Sequence, residues 1–76
     1  MSSLRRDKAI ERIYKKLVSL AKNTNLKKAA GVIFDMVTAW NDANPNEREI
    51  FACEYYNDKG VWVGIMVEDD FIVFPE

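Results

Sequence analysis

Between Ile10 and Trp40 the apolar residues recur at spacings of three and four, which is the period of an α-helix. The first stripe is Ile10, Ile13, Tyr14, Leu17, Val18 and Ala21, and the second is Leu26, Ala29, Ala30, Ile33, Met36, Val37 and Trp40. Ser3 can cap the first helix, and the polar run Asn23–Asn25 separates the two. The pattern therefore predicts two amphipathic helices, and Gly31 inside the second stripe predicts a close contact between them.

Three short segments rich in aromatic and β-branched residues follow the helices, which is typical of strands. The predicted strands are Ile50–Tyr56, Val61–Val67 and Phe71–Phe74, joined by turns at Asn57–Gly60 and Glu68–Asp70. The order α-α-β-β-β predicts an α+β fold in which a two-helix hairpin packs on a three-stranded antiparallel β-meander. The length of 76 residues fits one domain over residues 1–76.

An alternative interpretation concerns Pro45–Tyr56. Asn44 as a cap, Pro45 at the first helical position and Glu47 after it resemble the start of a third helix. Three helices and a hairpin would follow the order of a winged helix. That third helix would carry Glu47, Glu49 and Glu54 and would be a poor surface for phosphates. The sequence leaves this alternative open beside the preferred meander.

Both faces of the predicted sheet are apolar. We expect a three-residue loop closed by Gly60 between the first two strands and a second three-residue loop before the third strand. These loop lengths fix which residues pair across the strands, and so which residues share a face. The predicted core face is Phe51, Cys53, Tyr55, Val63, Ile65, Val67, Phe71 and Val73, and the opposite face carries Tyr56, Trp62, Met66, Ile72 and Phe74. A sheet covered on one side normally alternates apolar with polar residues, so the second set is expected to form an exposed interface. A slip of one residue would instead place Trp62 in the core.

Residue usage argues against several kinds of site. The chain has one cysteine and no histidine, which excludes an internal disulfide and a cysteine zinc cluster and removes the commonest general base. We therefore expect no catalytic residues, no cofactor and no metal, and a buried, inert Cys53 thiol. The chain carries no signal-peptide pattern and no apolar run long enough to span a bilayer, so a cytoplasmic location is expected.

The charges are divided between the two parts of the chain. Met1–Lys28 holds nine basic residues against two acidic ones, and Ala29–Glu76 holds two basic residues against ten acidic ones. Such asymmetry suggests charged partners. The candidate nucleic-acid-binding residues are the cations of the first helix: Arg5, Arg6, Lys8, Arg12, Lys15, Lys16 and Lys22.

These observations favour a small non-enzymatic protein-binding module over an enzyme. Its size and character suggest a regulator, inhibitor or immunity-type protein of bacterial or phage origin that acts by surface occlusion. The predicted protein-binding residues are the apolar anchors Tyr56, Trp62, Met66, Ile72 and Phe74 and the acidic groups Glu54, Glu68, Asp69 and Asp70, which would steer a basic partner. The expected partner is another protein or a second copy of the chain. In the second case the open face predicts a dimer at micromolar concentration. The alternative is a nucleic-acid-binding regulator that uses the basic first helix. Neither a membrane nor a small-molecule substrate is expected.

Overall fold

Two helices and a three-stranded sheet form the computed structural model, which describes residues 3–75. Helix α1 spans Leu4–Asn23 and helix α2 spans Leu26–Ala43; strands β1, β2 and β3 span Ala52–Tyr56, Trp62–Val67 and Asp70–Val73. The sheet is antiparallel in the order β1-β2-β3. The predicted α-α-β-β-β order is confirmed. The third-helix alternative is wrong, because residues 44–51 form a turn and an irregular segment instead of a helix.

Polar side chains fix where the helices begin. The Ser3 hydroxyl accepts a hydrogen bond from the Arg6 backbone N–H at 3.0 Å, and the Asn25 side chain accepts one from the Lys28 N–H at 2.9 Å. Each side chain satisfies an amide that has no partner inside its own helix. The Thr24 N–H donates to the Leu20 carbonyl at 2.9 Å and closes the end of α1. The two helices are therefore joined by a link of only two residues, at the predicted polar break.

The helices pack on one face of the sheet, α1 against β2 and β3 and α2 against β1 and β2. The core between these layers consists of Ala9, Ile13, Leu17, Ala29, Ala30, Ile33, Val37, Ile50, Ile65, Val67 and Phe74. Its helical members come from the two predicted stripes, with Ala9 added at the start of α1. Because both helices use their apolar stripes on the same side, nothing within residues 3–75 remains to cover the other side of the sheet.

Gly31 lies on the exposed surface of α2, and a Cβ placed there would meet nothing within 4 Å. The predicted close helix–helix contact at Gly31 is therefore wrong. Because glycine costs up to about 1 kcal/mol relative to alanine inside a helix, Gly31→Ala should raise the free energy of unfolding by about 0.5–1 kcal/mol. Thermal denaturation followed by circular dichroism measures the gain. A lower melting temperature would mean that Gly31 contacts another part of the molecule.

Side chains hold the irregular segment between α2 and β1. The Asn41 amide donates to the Ile50 carbonyl at 3.1 Å and accepts from the Ile50 N–H at 2.8 Å, as a neighbouring strand would. The Ser3 hydroxyl donates to the Glu47 carboxylate at 2.8 Å and ties the segment to the start of α1. These bonds place Ile50 in the core and start β1 at a defined position.

The strands pair in a register that differs from the predicted one. The first loop is as expected, with the Asn57 N–H donating to the Val61 carbonyl at 2.9 Å and Gly60 at φ 76°. Tyr56 then faces Trp62 and Tyr55 faces Gly64, so Val63 of β2 is an extra residue. This bulge shifts β1, so that Ala52 faces Val67. The second loop has two residues instead of three, since Val67 faces Asp70. Both β1 and β3 are consequently displaced by one residue relative to β2, and their side chains exchange faces.

Arg6 is buried and joins the two layers at one end of the molecule. Only 3% of Arg6 is exposed. Its guanidinium donates to the carbonyls of Arg48 and Glu49 at 2.9 and 2.8 Å and to the Glu68 carboxylate at 2.7 Å. The other Glu68 oxygen accepts from the Phe51 N–H at 2.7 Å. These bonds hold Glu68 at φ 55°, a left-handed conformation that is unfavourable for a residue with a side chain.

The environment of Glu68 makes the fold sensitive to acid. Burial alone would raise its pKa, but the hydrogen bonds from Phe51 and Arg6 and the charges of Arg6 and Arg48 outweigh burial and hold the pKa of Glu68 below its ordinary value. A carboxyl with a lowered folded-state pKa stabilises the fold above its unfolded pKa, about 4.3 for glutamate, and loses this contribution as the pH falls through the folded value.

We therefore expect Glu68→Gln to remove part of the loss of stability that the protein shows below about pH 4.3, the ordinary pKa of glutamate. Urea denaturation at a series of pH values from neutral to acidic measures this. Glu11→Gln is the matched control, because Glu11 is exposed and its pKa is lowered mainly by a hydrogen bond from Lys15. If both variants give the same acid profile, the Glu68 carboxyl is not held by the buried guanidinium.

Candidate protein-binding face of the sheet

The side of the sheet that faces away from the helices is apolar. Phe51, which directly precedes β1, lies on this side together with Cys53 and Tyr55, because alternate residues of a strand share a face. The register brings Met66 of β2 and Phe71 and Val73 of β3 beside them. We call this the outer sheet face, formed by Phe51, Cys53, Tyr55, Met66, Phe71 and Val73. An antiparallel sheet covered on one side normally carries polar residues on the other, so this composition calls for an explanation.

The outer sheet face is open to solvent. Phe51 is 58% exposed, Phe71 45% and Val73 52%. Cys53, Tyr55 and Met66 are half-buried. Five of these six residues are distributed over the three strands, and Phe51 directly precedes β1. Together they form one contiguous surface. Contiguous exposed apolar surface of this kind is typical of an interaction site, whereas single exposed apolar residues are common on any protein.

Two aromatic rings stack across the middle of this face. The rings of Tyr55 and Phe71 have centroids 4.2 Å apart and planes inclined by 12°. Their strands flank β2 on opposite sides, so the rings meet over the central strand. Gly64, which faces Tyr55 across the ladder, leaves space for them. Stacking contributes about 0.5–1.5 kcal/mol and fixes the two side chains before any partner arrives.

The predicted apolar anchors divide between the core and the surface. Met66 lies on the outer sheet face, and Tyr56 is 50% exposed at the end of β1. The prediction that Trp62, Ile72 and Phe74 form an exposed patch is wrong. Phe74 is buried, and Trp62 and Ile72 are half-buried and pack against the core.

Residues predicted for the core lie instead on the outer sheet face. They are Phe51, Cys53, Tyr55, Phe71 and Val73. The prediction of a buried Cys53 thiol is likewise wrong, because Cys53 is half-buried on this open face. The one-residue displacement of β1 and β3 accounts for all of these exchanges. The expectation of two apolar faces stands, with the members of β1 and β3 interchanged and Trp62 of β2 placed against the core by the bulge.

The predicted acidic residues lie around the sheet and not on its outer face. Asp69 and Asp70 are exposed at the loop between β2 and β3. Glu54 is exposed on the edge strand β1, where its carboxylate accepts a hydrogen bond from the Tyr56 hydroxyl. Glu68 differs, since only 20% of its side chain is exposed and both of its oxygens are hydrogen-bonded within the protein. Glu68 therefore holds the fold together and offers little surface to a partner.

The fold converts the charge asymmetry of the sequence into two oppositely charged layers. Residues 3–43, which form the helical layer, hold nine basic and four acidic residues, a net charge of +5. Residues 44–75, which form the sheet layer, hold two basic and seven acidic residues, a net charge of −5. The buried Arg6–Glu68 pair cancels one charge of each layer. The outer sheet face therefore belongs to the negative side of the molecule.

The basic residues of α1 remain a separate surface. Arg5, Lys8, Arg12, Lys15, Lys16 and Lys22 are exposed, as predicted for a cationic helix face. Arg6 is not part of this surface, because it is buried and bonded to the sheet layer. The prediction that Arg6 is a nucleic-acid-binding residue is therefore wrong, because its guanidinium is bonded within the protein. Lys8, Arg12 and Lys15 line a shallow, open depression with Glu11, and Lys15 forms an ion pair with Glu11 at 2.9 Å.

Neither helix of the described chain is long and apolar enough to cross a membrane. Among residues 3–75, no three cysteine or carboxylate side chains come together in an arrangement that could hold a metal ion. The chain matches no protein-family model, no curated protein and no solved structure.

Proposed function

We propose that this chain is a small non-enzymatic protein-binding module that occupies a surface of another protein with its outer sheet face. A regulator, inhibitor or immunity-type protein of bacterial or phage origin would act in this way. One observation carries the proposal: a contiguous, exposed apolar face lies opposite a complete core. That face contributes nothing to the packing of the helices, and its exposure is unfavourable until a partner removes it from water.

The residues of the outer sheet face suit a binding role. Aromatic side chains dominate binding hot spots, and Phe51, Tyr55 and Phe71 supply three of them. Burial of apolar surface stabilises a complex by about 25 cal/mol per Å², before the costs of association are subtracted. The stacked rings of Tyr55 and Phe71 are already ordered, so binding loses little of their conformational freedom. A flat, rigid apolar surface is therefore available without rearrangement of the fold.

The same features argue against catalysis. The chain has no histidine that could activate the Cys53 thiol, and the rest of the exposed face is mainly apolar, so it offers a partner contact area. The proposal includes a reducing compartment such as the cytoplasm, in which the accessible Cys53 thiol would remain free.

The proposal is tested with a double variant of the outer sheet face, Phe51→Ser with Val73→Ser. Both residues are more than half exposed, so the fold should survive their loss, as circular dichroism can verify. Capture from lysates of the source cell, with the wild-type chain and the variant immobilised in parallel, should give proteins retained by the wild type alone. With one such protein purified, the variant should bind at least about tenfold more weakly, a loss of about 1.4 kcal/mol.

The matched control replaces two exposed apolar residues of the helical layer, Leu4→Ser with Val32→Ser. Leu4 is 69% exposed and Val32 38% exposed, so the change in surface hydrophobicity is comparable. This control should retain every protein that the wild type retains. If the outer-face variant captures the same proteins as the wild type, or if the control loses them instead, the outer sheet face is not the binding surface.

The exposed cations of α1 support a second candidate function, which is nucleic-acid binding. Six exposed basic side chains on one helix would neutralise phosphates, and the affinity would then fall steeply with salt. Filter binding of DNA and RNA at two salt concentrations distinguishes the two functions. Binding at low salt that Lys15→Glu and Lys16→Glu abolish would favour the nucleic-acid function. Absence of binding at low salt removes it.

A further inference from the structure

We infer that the partner of the outer sheet face is a basic protein surface, apolar at its centre and carrying lysine or arginine where it meets the loop between β2 and β3. The inference rests on the proposed function and adds the chemistry of the partner to it. Its basis is the position of the acidic residues relative to the exposed apolar face. A second copy of the chain is not the occupant, because its own sheet layer is acidic as well.

The acidic residues cluster at one end of the outer sheet face. Because Ala52 faces Val67 and Val67 faces Asp70, the start of β1 and the loop between β2 and β3 lie at the same end of the sheet. Exposed Glu49, Asp69 and Asp70 lie at this end, each within two residues of Phe51 or Phe71 in the chain.

The neighbouring cations neutralise this end only in part. Arg6 pairs with Glu68 at 2.7 Å, and exposed Arg48 lies 4.0 Å from the same carboxylate, so one surplus cation stands against the three exposed carboxylates of this end. At the opposite end, Asp58 and Lys59 balance each other in the loop between β1 and β2. The excess negative charge is therefore local, and it defines an orientation for a partner.

A charged edge beside an apolar centre selects the partner by sign. Opposite charges speed the encounter and set the orientation, while like charges facing each other oppose docking. Most of the affinity comes from the apolar contact, and the acidic edge excludes neutral and acidic surfaces of similar shape. A partner surface with an apolar centre and basic residues opposite the loop between β2 and β3 complements both the apolar face and the acidic edge.

A second copy of the chain fits this surface poorly. Two sheet layers brought face to face would each carry a net charge of −4, because the buried Arg6 cancels one of the five excess negative charges. The compensating +4 of the helical layer lies on the far side of each molecule, away from the contact. A contact between the helical layer of one copy and the sheet layer of the next has complementary charge. Such a contact is heterologous, so a pair of copies would still leave one outer sheet face exposed to water. We therefore expect the isolated chain to be monomeric at micromolar concentration, contrary to the dimer expected from the sequence.

A library of random peptides displayed on phage provides a probe that requires no knowledge of the partner. Peptides are selected on the immobilised wild-type chain and counter-selected on the Phe51→Ser, Val73→Ser variant, so that only binders of the outer sheet face remain. The recovered peptides should combine aromatic or aliphatic anchors with an excess of lysine and arginine over the input library. Their affinity should fall as salt rises, because exposed charges are screened within about 10 Å at 0.1 M ionic strength.

Charge-removing variants locate the basic contact. Asp69→Asn with Asp70→Asn should weaken a recovered peptide by about fivefold at low salt, in the range expected for two exposed ion pairs. The matched control is Asp35→Asn with Asp42→Asn, which makes the same charge change at exposed positions of α2 and should leave the affinity unchanged. Light scattering after size exclusion determines whether the chain is a monomer under the same conditions.

The outcomes separate this inference from the proposed function. Peptides that depend on the outer sheet face but are neutral or acidic, or that bind the Asp69, Asp70 variant as well as the wild type, overturn the inference and leave the proposed function intact. A dimer that the Phe51→Ser, Val73→Ser variant abolishes identifies a second copy as the occupant and also overturns it. If no recovered peptide depends on the outer sheet face, the proposed function fails and the inference fails with it.

Discussion

Arg6→Met should lower the free energy of unfolding by about 3–5 kcal/mol, the usual cost of removing one partner from a buried ion pair. Methionine fills similar space but leaves the carbonyls of Arg48 and Glu49 and one Glu68 oxygen without their donor. Native proteins have a total stability of only about 5–15 kcal/mol, so a large part of it would be lost. Urea denaturation followed by circular dichroism measures the difference.

The neighbouring Arg5 supplies the control for this prediction. It precedes Arg6 in the same turn of α1 but is exposed, so Arg5→Met should change the stability by less than about 0.5 kcal/mol. Arg6→Lys should fall between the wild type and Arg6→Met, because it keeps the charge and loses the planar fork that reaches three acceptors. Equal effects of Arg5→Met and Arg6→Met would show that Arg6 is a surface cation and would return it to the nucleic-acid-binding candidates.

Gly64→Ala should cost about 3 kcal/mol, at the upper end of what an added methyl group costs in a closely packed site. A Cβ on Gly64 would overlap the carbonyl oxygen of Ile72 and would lie 3.1 Å from the Cα of Val73. Both obstacles are backbone atoms of β3, which can move only if the ladder between β2 and β3 opens. We expect a lower melting temperature and weaker protection of the β3 amides from hydrogen exchange.

Gly31→Ala is the natural comparison, since it is the same substitution with the opposite expected sign. Gly31 has open space around its Cα on the surface of α2, and Gly64 faces the backbone of an adjacent strand. The pair therefore distinguishes loss of glycine flexibility from steric overlap. A Gly64→Ala protein as stable as the wild type would show that β2 and β3 are not paired in the register described here.

The helices and the order of the strands could be predicted because each is encoded locally. The apolar periodicity gave both helical stripes, Ser3 marked the start of the first helix as a cap, and the polar run Asn23–Asn25 marked the break before the second. Arg6 was assigned to the cationic surface on residue type alone. Its position gave a better signal, since Arg6 precedes Ala9 by three residues and Ile13 by seven and so continues the buried stripe of α1.

The register could not be predicted from the same patterns. The bulge at Val63, opposite Tyr55 and Tyr56, has no residue type that marks it. The two-residue loop uses Glu68 in a left-handed conformation that usually favours glycine or asparagine. Glu68 adopts it because Arg6 and the Phe51 amide, distant in sequence, bind its carboxylate. A long-range contact therefore decides the loop length, and the loop length decides which side chains of β3 reach the outer sheet face.

The existence of a second apolar face could be predicted, although most of its members could not. Successive side chains of a strand point to opposite faces, so strands made almost wholly of apolar residues give two apolar faces in any register. Two helices cover only one of these faces. Met66 kept its predicted place, whereas Trp62 of the same strand did not, because the bulge at Val63 lies between them. The exposed residues of β1 and β3 depended on the register, and so did the assignment of Trp62 and Phe74 to the core.

Nuclear magnetic resonance of the ¹⁵N-labelled chain, titrated with a peptide selected on the immobilised protein, shows directly which surface binds. We expect the largest amide shift changes at Cys53, Tyr55, Met66, Phe71 and Val73, with smaller changes at Asp69 and Asp70 and none along α1. Shift changes confined to Arg12, Lys15 and Lys16 would contradict binding by the outer sheet face and would assign recognition to the basic helix.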